Sequence, residues 1–369
     1  VTLALEQDDR FAARLLIDAE SGTVLFESAS HQRRSPASMV KMMVVLLTME
    51  RVADGRLSLD DEVRASGWAS RMGGSQVYLK HGEVFPLRDM LRAVMIASAN
   101  DAAVAVAEHV AGSVPAFVDL MNARAKELGL NDTVYRSVHG LPEKSAADDD
   151  VTSAADLARV AQELLAFDQV VAWGSTPVST FRNGQFQLTN TNRLVRSYRG
   201  INGMKTGYHG RSGFGVTATA TRDDFTLVAV VLGSRVRKAC FDEAARLLTH
   251  GFESFRVVKA ARAGEPIGTI VPVEGGEVAE ILALPTSDLR VVVARKADMK
   301  PQVEVRVPRL VSAPVEEGQH LGELVIVDGG KVLGRTELVA DRSVAATGWW
   351  AWWRNWWESE KAPSEDPIP

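Results

Sequence analysis

The 369 residues predict an α/β (α+β) domain with an antiparallel sheet flanked by helices, then a small all-β sandwich domain and a C-terminal amphipathic helix. Three observations lead there. Hydrophobic periodicity passes from strand to helix and back to strand within residues 1–257. Beyond residue 258 the helical period gives way to alternating apolar and polar residues. Six of the eight tryptophans then fall inside "WWAWWRNWW", residues 349–357. The length by itself asks for about two domains.

"FAARLLIDAESGTVLFES" (11–28) reads as two strands around a Ser21–Gly22 turn. "SMVKMMVVLLTMERVADG" is apolar on nearly all sides from Ser38 to Gly55, the pattern of a buried helix. "PLRDMLRAVMIA" (86–97) and "DAAVAVAEHVAG" (101–112) carry helical periodicity, with "SAN" breaking the run between them. Two amphipathic helices follow, one closed by Gly129 and one opened by Thr152 or Ser153. "GFGVTATATR" and "DFTLVAVVLGS" meet at Asp223–Asp224 as an antiparallel hairpin, and "FDEAARLLTHGFESF" returns to helix. In 258–345, "LRVVVARK", "PQVEVRVPRL" and "GELVIVDGGKVLGRTEL" are strands of a sandwich or barrel; residues 346–369 form the third segment.

A composition of 46% hydrophobic and 24% charged residues belongs to a globular chain, and a net charge of −5 without a basic run gives no reason to expect nucleic acid. Cys240 is the only cysteine, which rules out an intrachain disulfide and a zinc ribbon; its context reads as buried filler. Seven scattered histidines without H-E-x-x-H give no metal site, and no cofactor is expected. The chain opens on Val1 with neither a basic nor an apolar leader, as expected once an export signal has been removed.

Ser38 and Lys41 in "SMVK" stand one helical turn apart. A serine hydroxyl is a poor nucleophile until a neighbour takes its proton, and a lysine desolvated in an apolar site can be that base. The bland alternative is a capping serine beside a snorkelling lysine, and roughly one S-x-x-K per chain of this length arises by chance. Context decides. Ser98–Ala99–Asn100 lies in the break between two helices, and Lys205–Thr206–Gly207 just before the 214–233 hairpin. S-x-x-K, S-x-N and K-T-G in that order sign active-site-serine, penicillin-recognising enzymes.

The chain resembles the low-molecular-mass penicillin-binding proteins that act as serine D-Ala-D-Ala carboxypeptidases (peptidase family S11). "RRSPASMVKMM", "GGSQVYLKHGE", "IASANDAAVAVAEHV", "HGL", "GMKTGYHGRSGFG" and "SAPVEEGQHLGEL" carry the likeness along the chain. The resemblance implies a transpeptidase/β-lactamase-like catalytic domain, an acyl-enzyme, a peptidoglycan pentapeptide substrate, covalent inhibition by β-lactams and a periplasmic or extracytoplasmic place. It implies Ser38 as nucleophile, Lys41 as proton acceptor, Ser98 as relay to the departing D-alanine, and Asn100 holding the substrate amide and Lys41. Lys205 completes the electrostatics, Thr206 bonds the terminal carboxylate, and Gly207 belongs to the substrate site. The backbone N–H groups of Ser38 and Tyr208 form the oxyanion hole. Tyr208 stands where some relatives carry His. Arg235 in "LGSR" is the cation assigned to the free carboxylate, because a planar guanidinium suits one. His139 and Asp156 match family positions around the site and are expected to support it. An endopeptidase or β-lactamase of the same fold, or a non-catalytic wall-binding protein, are the alternatives. "ELGLN" (127–131) fits a β-lactamase deacylation pattern, but Glu127 in a last helical turn before Gly129 reads as punctuation.

On a helix, Trp349, Trp350, Trp352, Trp353, Trp356 and Trp357 fall within an arc of about 160°. Such a helix, about 22 Å long over residues 347–361, is too short to span a bilayer and is interrupted by Arg354. It is expected to lie in the headgroup region, anchoring the chain to the outer face of the cytoplasmic membrane, as many members of the family do. Packing on the β-domain or on a protein is the competing use.

Overall fold

The computed structural model describes residues 8–295 and 299–348. Two compact units divide the chain, Val1–Ser254 and Phe255–Pro369.

In the first unit, β1 (Ala13–Asp18) and β2 (Val24–Ser28) form the expected N-terminal hairpin; Gly22 takes a φ of 70° in its turn. The segment from Ser38 differs from expectation at its start. Ala37 has a left-handed φ of 49°, so Ala37–Val40 forms one tight 3-10 turn and α1 (Lys41–Ala53) begins only at the lysine. Every residue of α1 from Lys41 to Met49 is buried, as its all-round apolar surface requires.

Two short hairpin pairs, β3 (Glu62–Arg64) with β4 (Val84–Pro86) and β5 (Val178–Phe181) with β6 (Phe186–Thr189), border the helical lobe. α2 (Leu87–Arg92) widens into a π-helical turn, Ala93–Ala97, and stops at Ser98, whose φ is 61°. α3 (Asn100–Ala111) and α4 (Val114–Glu127) follow; Glu127 pairs with Arg124 in the last turn and Gly129 carries a φ of 72°, the helix-end role read from the sequence. α5 (Ala154–Leu164) opens on Ser153, whose hydroxyl accepts the Asp156 N–H. α6 (Asp168–Ser175), eight residues long, escaped the sequence reading because it spans barely two turns.

β7 (Ile201–His209) carries the Lys-Thr-Gly triplet on a strand at the edge of a five-stranded antiparallel sheet ordered β2-β1-β9-β8-β7. β8 (Gly213–Arg222) and β9 (Phe225–Ser234) are the expected hairpin, joined by Asp223 and Asp224 at φ 48° and 58°, the left-handed pair a two-residue hairpin needs. α7 (Arg237–Ser254) starts earlier than its apolar period suggested.

The second unit begins with β10 (Phe255–Ala261), which pairs with β13 (Leu289–Ala294) and therefore belongs here. β11 (Ile270–Glu274), β12 (Glu280–Pro285), β14 (Gln302–Arg306), β15 (Val311–Ser312), β16 (His320–Asp328) and β17 (Lys331–Ala340) form a six-stranded sheet ordered β14-β16-β17-β12-β11-β15. Val271, Ile281, Leu324, Ile326 and Leu338 make its core, and Val258 and Val291 of the smaller sheet pack against it, giving the sandwich. The tryptophan stripe, Trp349 to Trp357, lies outside the described residues.

Candidate active site

Three glycines let the backbone close around Ser38. A Cβ on Gly140, in "HGL", would sit 2.0 Å from the Ala37 carbonyl oxygen, and one on Gly207 would sit 2.3 Å from that of Pro36. Gly215 on β8 is close too, a Cβ there lying 2.7 Å from the end of the Met39 side chain. The nucleophile's turn is thereby wedged between the edge strand and the loop after Val138, with no room for a side chain on either side.

Inside that wedge, Nζ of Lys41 lies 2.9 Å from Ser38 Oγ and donates to the His139 carbonyl at 2.7 Å. Lys41 is wholly buried; desolvation, with the neighbouring Lys205 adding to it, holds its pKa well below the usual lysine range. An amine that loses its charge this easily has a lone pair available to the hydroxyl beside it. The His139 imidazole is lowered to about 4 by burial and by Lys41, so it is neutral at pH 7; its contribution to Lys41 is the main-chain oxygen.

The left-handed turn at Ser98 brings that hydroxyl to Nζ of Lys205, 2.8 Å away. Lys205 is also fully buried, and desolvation lowers its pKa to about 7. Asn100 was expected to touch Lys41. Its Nδ2 instead donates to the Gly73 carbonyl at 2.6 Å, because the loop at Gly73–Gly74 presses against it, and its buried Oδ1 has no partner among the described residues. That leaves a free acceptor. The Thr206 hydroxyl donates to the Thr191 hydroxyl at 2.8 Å.

A cleft of about 230 Å³ joins these groups, lined by Ser38, Ser98, Thr206, Gly207 and Tyr208 together with Ser75, Thr191, Phe214, Gly215, Arg237, Cys240 and Phe241. Tyr208 stacks on Phe214 with ring centroids 4.1 Å apart. Arg235 is exposed and does not line this cleft; Arg237, two residues on at the first turn of α7, does. Asp156 is absent from the lining as well. Its carboxylate, raised in pKa by burial, accepts from the Thr133 hydroxyl and the Asp132 N–H and so fastens a loop.

Sequence reasoning missed Ser75, Thr191 and Arg237; Cys240 is buried, as its context suggested, and lies in the wall of the cleft. Polar residues where apolar strands end, as in "QLTNTNR", were the available signal.

A hydroxyl paired with a desolvated amine, beneath an edge strand that carries Lys-Thr-Gly, defines a serine hydrolase that works through an acyl intermediate. The chain belongs to the D-alanyl-D-alanine carboxypeptidase family, peptidase S11, whose pattern matches residues 4–236; residues 255–346 match the C-terminal domain of penicillin-binding protein 5. It is 34% identical over 339 residues to the D-alanyl-D-alanine carboxypeptidase DacF of Bacillus subtilis, covering 90% of this chain and 86% of that one. With DacA of Escherichia coli the identity is 31% over 334 residues, covering 88% and 81%. Penicillin binding protein 5 from Haemophilus influenzae superposes with a TM-score of 0.78 at 27% identity, over 93% of this chain and all of that one. The protein is thus a serine-type D-Ala-D-Ala carboxypeptidase with the family's α/β catalytic domain and all-β C-terminal domain.

Proposed function

We propose that the chain removes the terminal D-alanine from peptidoglycan pentapeptide stems through an acyl-enzyme on Ser38. Lys41 accepts the hydroxyl proton as Oγ adds to the carbonyl between the two D-alanines. The C–N bond then breaks, and the departing amine takes a proton passed through Ser98. Water, deprotonated in turn, hydrolyses the ester and regenerates the hydroxyl. The unpaired Oδ1 of Asn100 suits a substrate N–H, and the main-chain N–H groups of Ser38 and Tyr208 suit the oxyanion.

The terminal carboxylate needs a cation that stays charged. Lys41 and Lys205 are desolvated toward neutrality, whereas Arg237 lines the cleft itself with a planar guanidinium whose fork suits a carboxylate. Thr206 and Arg237, rather than Arg235, are therefore the proposed carboxylate readers.

The observation that carries this reading is the 2.9 Å approach of a buried, pKa-lowered Lys41 amine to Ser38 Oγ. β-Lactams are proposed as covalent inhibitors at the same atom. Penicillin-binding protein D2 of Listeria monocytogenes, 26% identical over 68% of this chain, has been solved in ampicillin- and cefotaxime-bound forms. Incubation with a labelled penicillin followed by mass spectrometry should give a lasting adduct on Ser38 that Ser38→Ala abolishes. Rapid turnover with no adduct would assign a β-lactamase instead.

Attachment to the outer face of the cytoplasmic membrane through the tryptophan stripe is proposed on the sequence pattern alone. An extracytoplasmic site of action fits a wall substrate.

A further inference from the structure

Tyr78 combines two features that seldom meet. The residue is 66% exposed, and its backbone has a φ of 56°, a conformation a bulky residue rarely adopts. The surrounding contacts hold it there from several sides. The buried Asp101 carboxylate accepts the N–H groups of both neighbours, Val77 and Leu79, at 3.0 to 3.2 Å. Arg182 donates to the Tyr78 carbonyl at 2.8 Å and pairs with Glu83, which in turn accepts the Lys80 N–H. Val77 and Leu79 are buried while Tyr78 and Lys80 point outward. Phe186 of β6 braces the ring edge-on, centroids 6.0 Å apart.

A strained backbone fixed this firmly, only to present an aromatic face to solvent, is a positioning device. Ser75, three residues earlier, lines the catalytic cleft, so the Tyr78 backbone lies within roughly 11 Å of that lining residue. Gln76, Lys80 and His81, all with hydrogen-bonding side chains, lie within three residues of Tyr78 in the chain. An exposed, braced aromatic face on a segment with polar neighbours matches a pyranose ring, which has C–H groups on its face and hydroxyls at its edge.

We propose that Tyr78 is an outer subsite that stacks on a sugar joined to the acyl end of the substrate's stem peptide, so that the enzyme takes glycan-linked peptides in preference to free ones. The proposal rests on the carboxypeptidase reading above. Binding energy from this remote contact positions the scissile bond at Ser38.

The test compares D-alanine release by the full chain from two substrates, a short acylated peptide ending in D-Ala-D-Ala and the same peptide extended to a disaccharide-linked pentapeptide. Tyr78→Gly removes the ring and, because glycine accepts a positive φ freely, relieves the backbone instead of stressing it. Its unfolding midpoint should match or exceed that of the wild type. Its kcat/KM should fall about tenfold on the disaccharide substrate and stay within twofold on the short one, the loss expected of one stacking contact. Tyr78→Phe should keep most of the preference. Equal losses on both substrates, or no loss on either, would overturn the subsite and leave the carboxypeptidase reading standing. Wild-type protein that releases D-alanine from neither peptide would remove both.

Discussion

Lys41 and Lys205 illustrate how burial, not sequence identity, sets what a residue can do. The triplets announced both lysines and the three-residue spacing announced the Ser38–Lys41 pair; the pairing of Lys205 with Ser98, and the depth of burial that discharges both amines, follow only from the fold. Stability records that cost. The folded chain releases the Lys205 proton near pH 7, whereas an unfolded lysine holds it to 10.5, so between those values the unfolded state binds the extra proton and folding stability rises with pH. Below about 7 both states are protonated and this contribution to the slope vanishes. Denaturant titrations should show a rise of up to about 1.4 kcal/mol per pH unit from this site, flattened in Lys205→Met. An unchanged slope in the variant would mean that the lysine is solvated. The missed residues belong to this scale too: Arg237 and Thr191 stand 46 positions apart in the chain, and only the fold brings both to the wall of one cleft.

Among the elements, long periodic segments were legible and short ones were not. The N-terminal hairpin, α3, α4, α5 and the β8–β9 pair announce themselves by apolar spacing, caps and turn residues, whereas α6 and the two-stranded β3–β4 and β5–β6 pairs are too short to show a period. β7 was unread because its run, "INGMKTGYH", holds two glycines and a lysine where an ordinary strand has branched residues. Those exceptions are the function: Gly207 lets the edge strand lie against the turn of Ser38. Gly207→Ala should cost about 1–3 kcal/mol in urea unfolding, the usual price of overpacking, and should slow penicillin acylation of Ser38 by more than its effect on stability explains. Full acylation in a folded variant would show that the close approach is incidental.

For the molecule as a whole, the sequence resolved an α/β catalytic region followed by a β-rich region, because the second region keeps a strand period over the whole of 258–345. The proposed role of the tryptophan stripe belongs to this scale, since an anchor would act on where the enzyme works and not on how. Removing residues 347–369 should leave D-alanine release from a small soluble peptide within twofold and should abolish sedimentation with phospholipid vesicles. Vesicle binding that survives the deletion would locate the attachment elsewhere in the chain.

The lone thiol offers one more use. Cys240 is buried at the edge of the cleft, its pKa pushed up to about 12, and the chain has no other sulfhydryl to confuse a signal. Alkylating reagents attack thiolate and need access, so the native protein should ignore them until that wall opens. Labelling speed thus becomes a built-in gauge of how often that wall of the cleft breathes, and of whether an antibiotic lodged on the serine locks it shut.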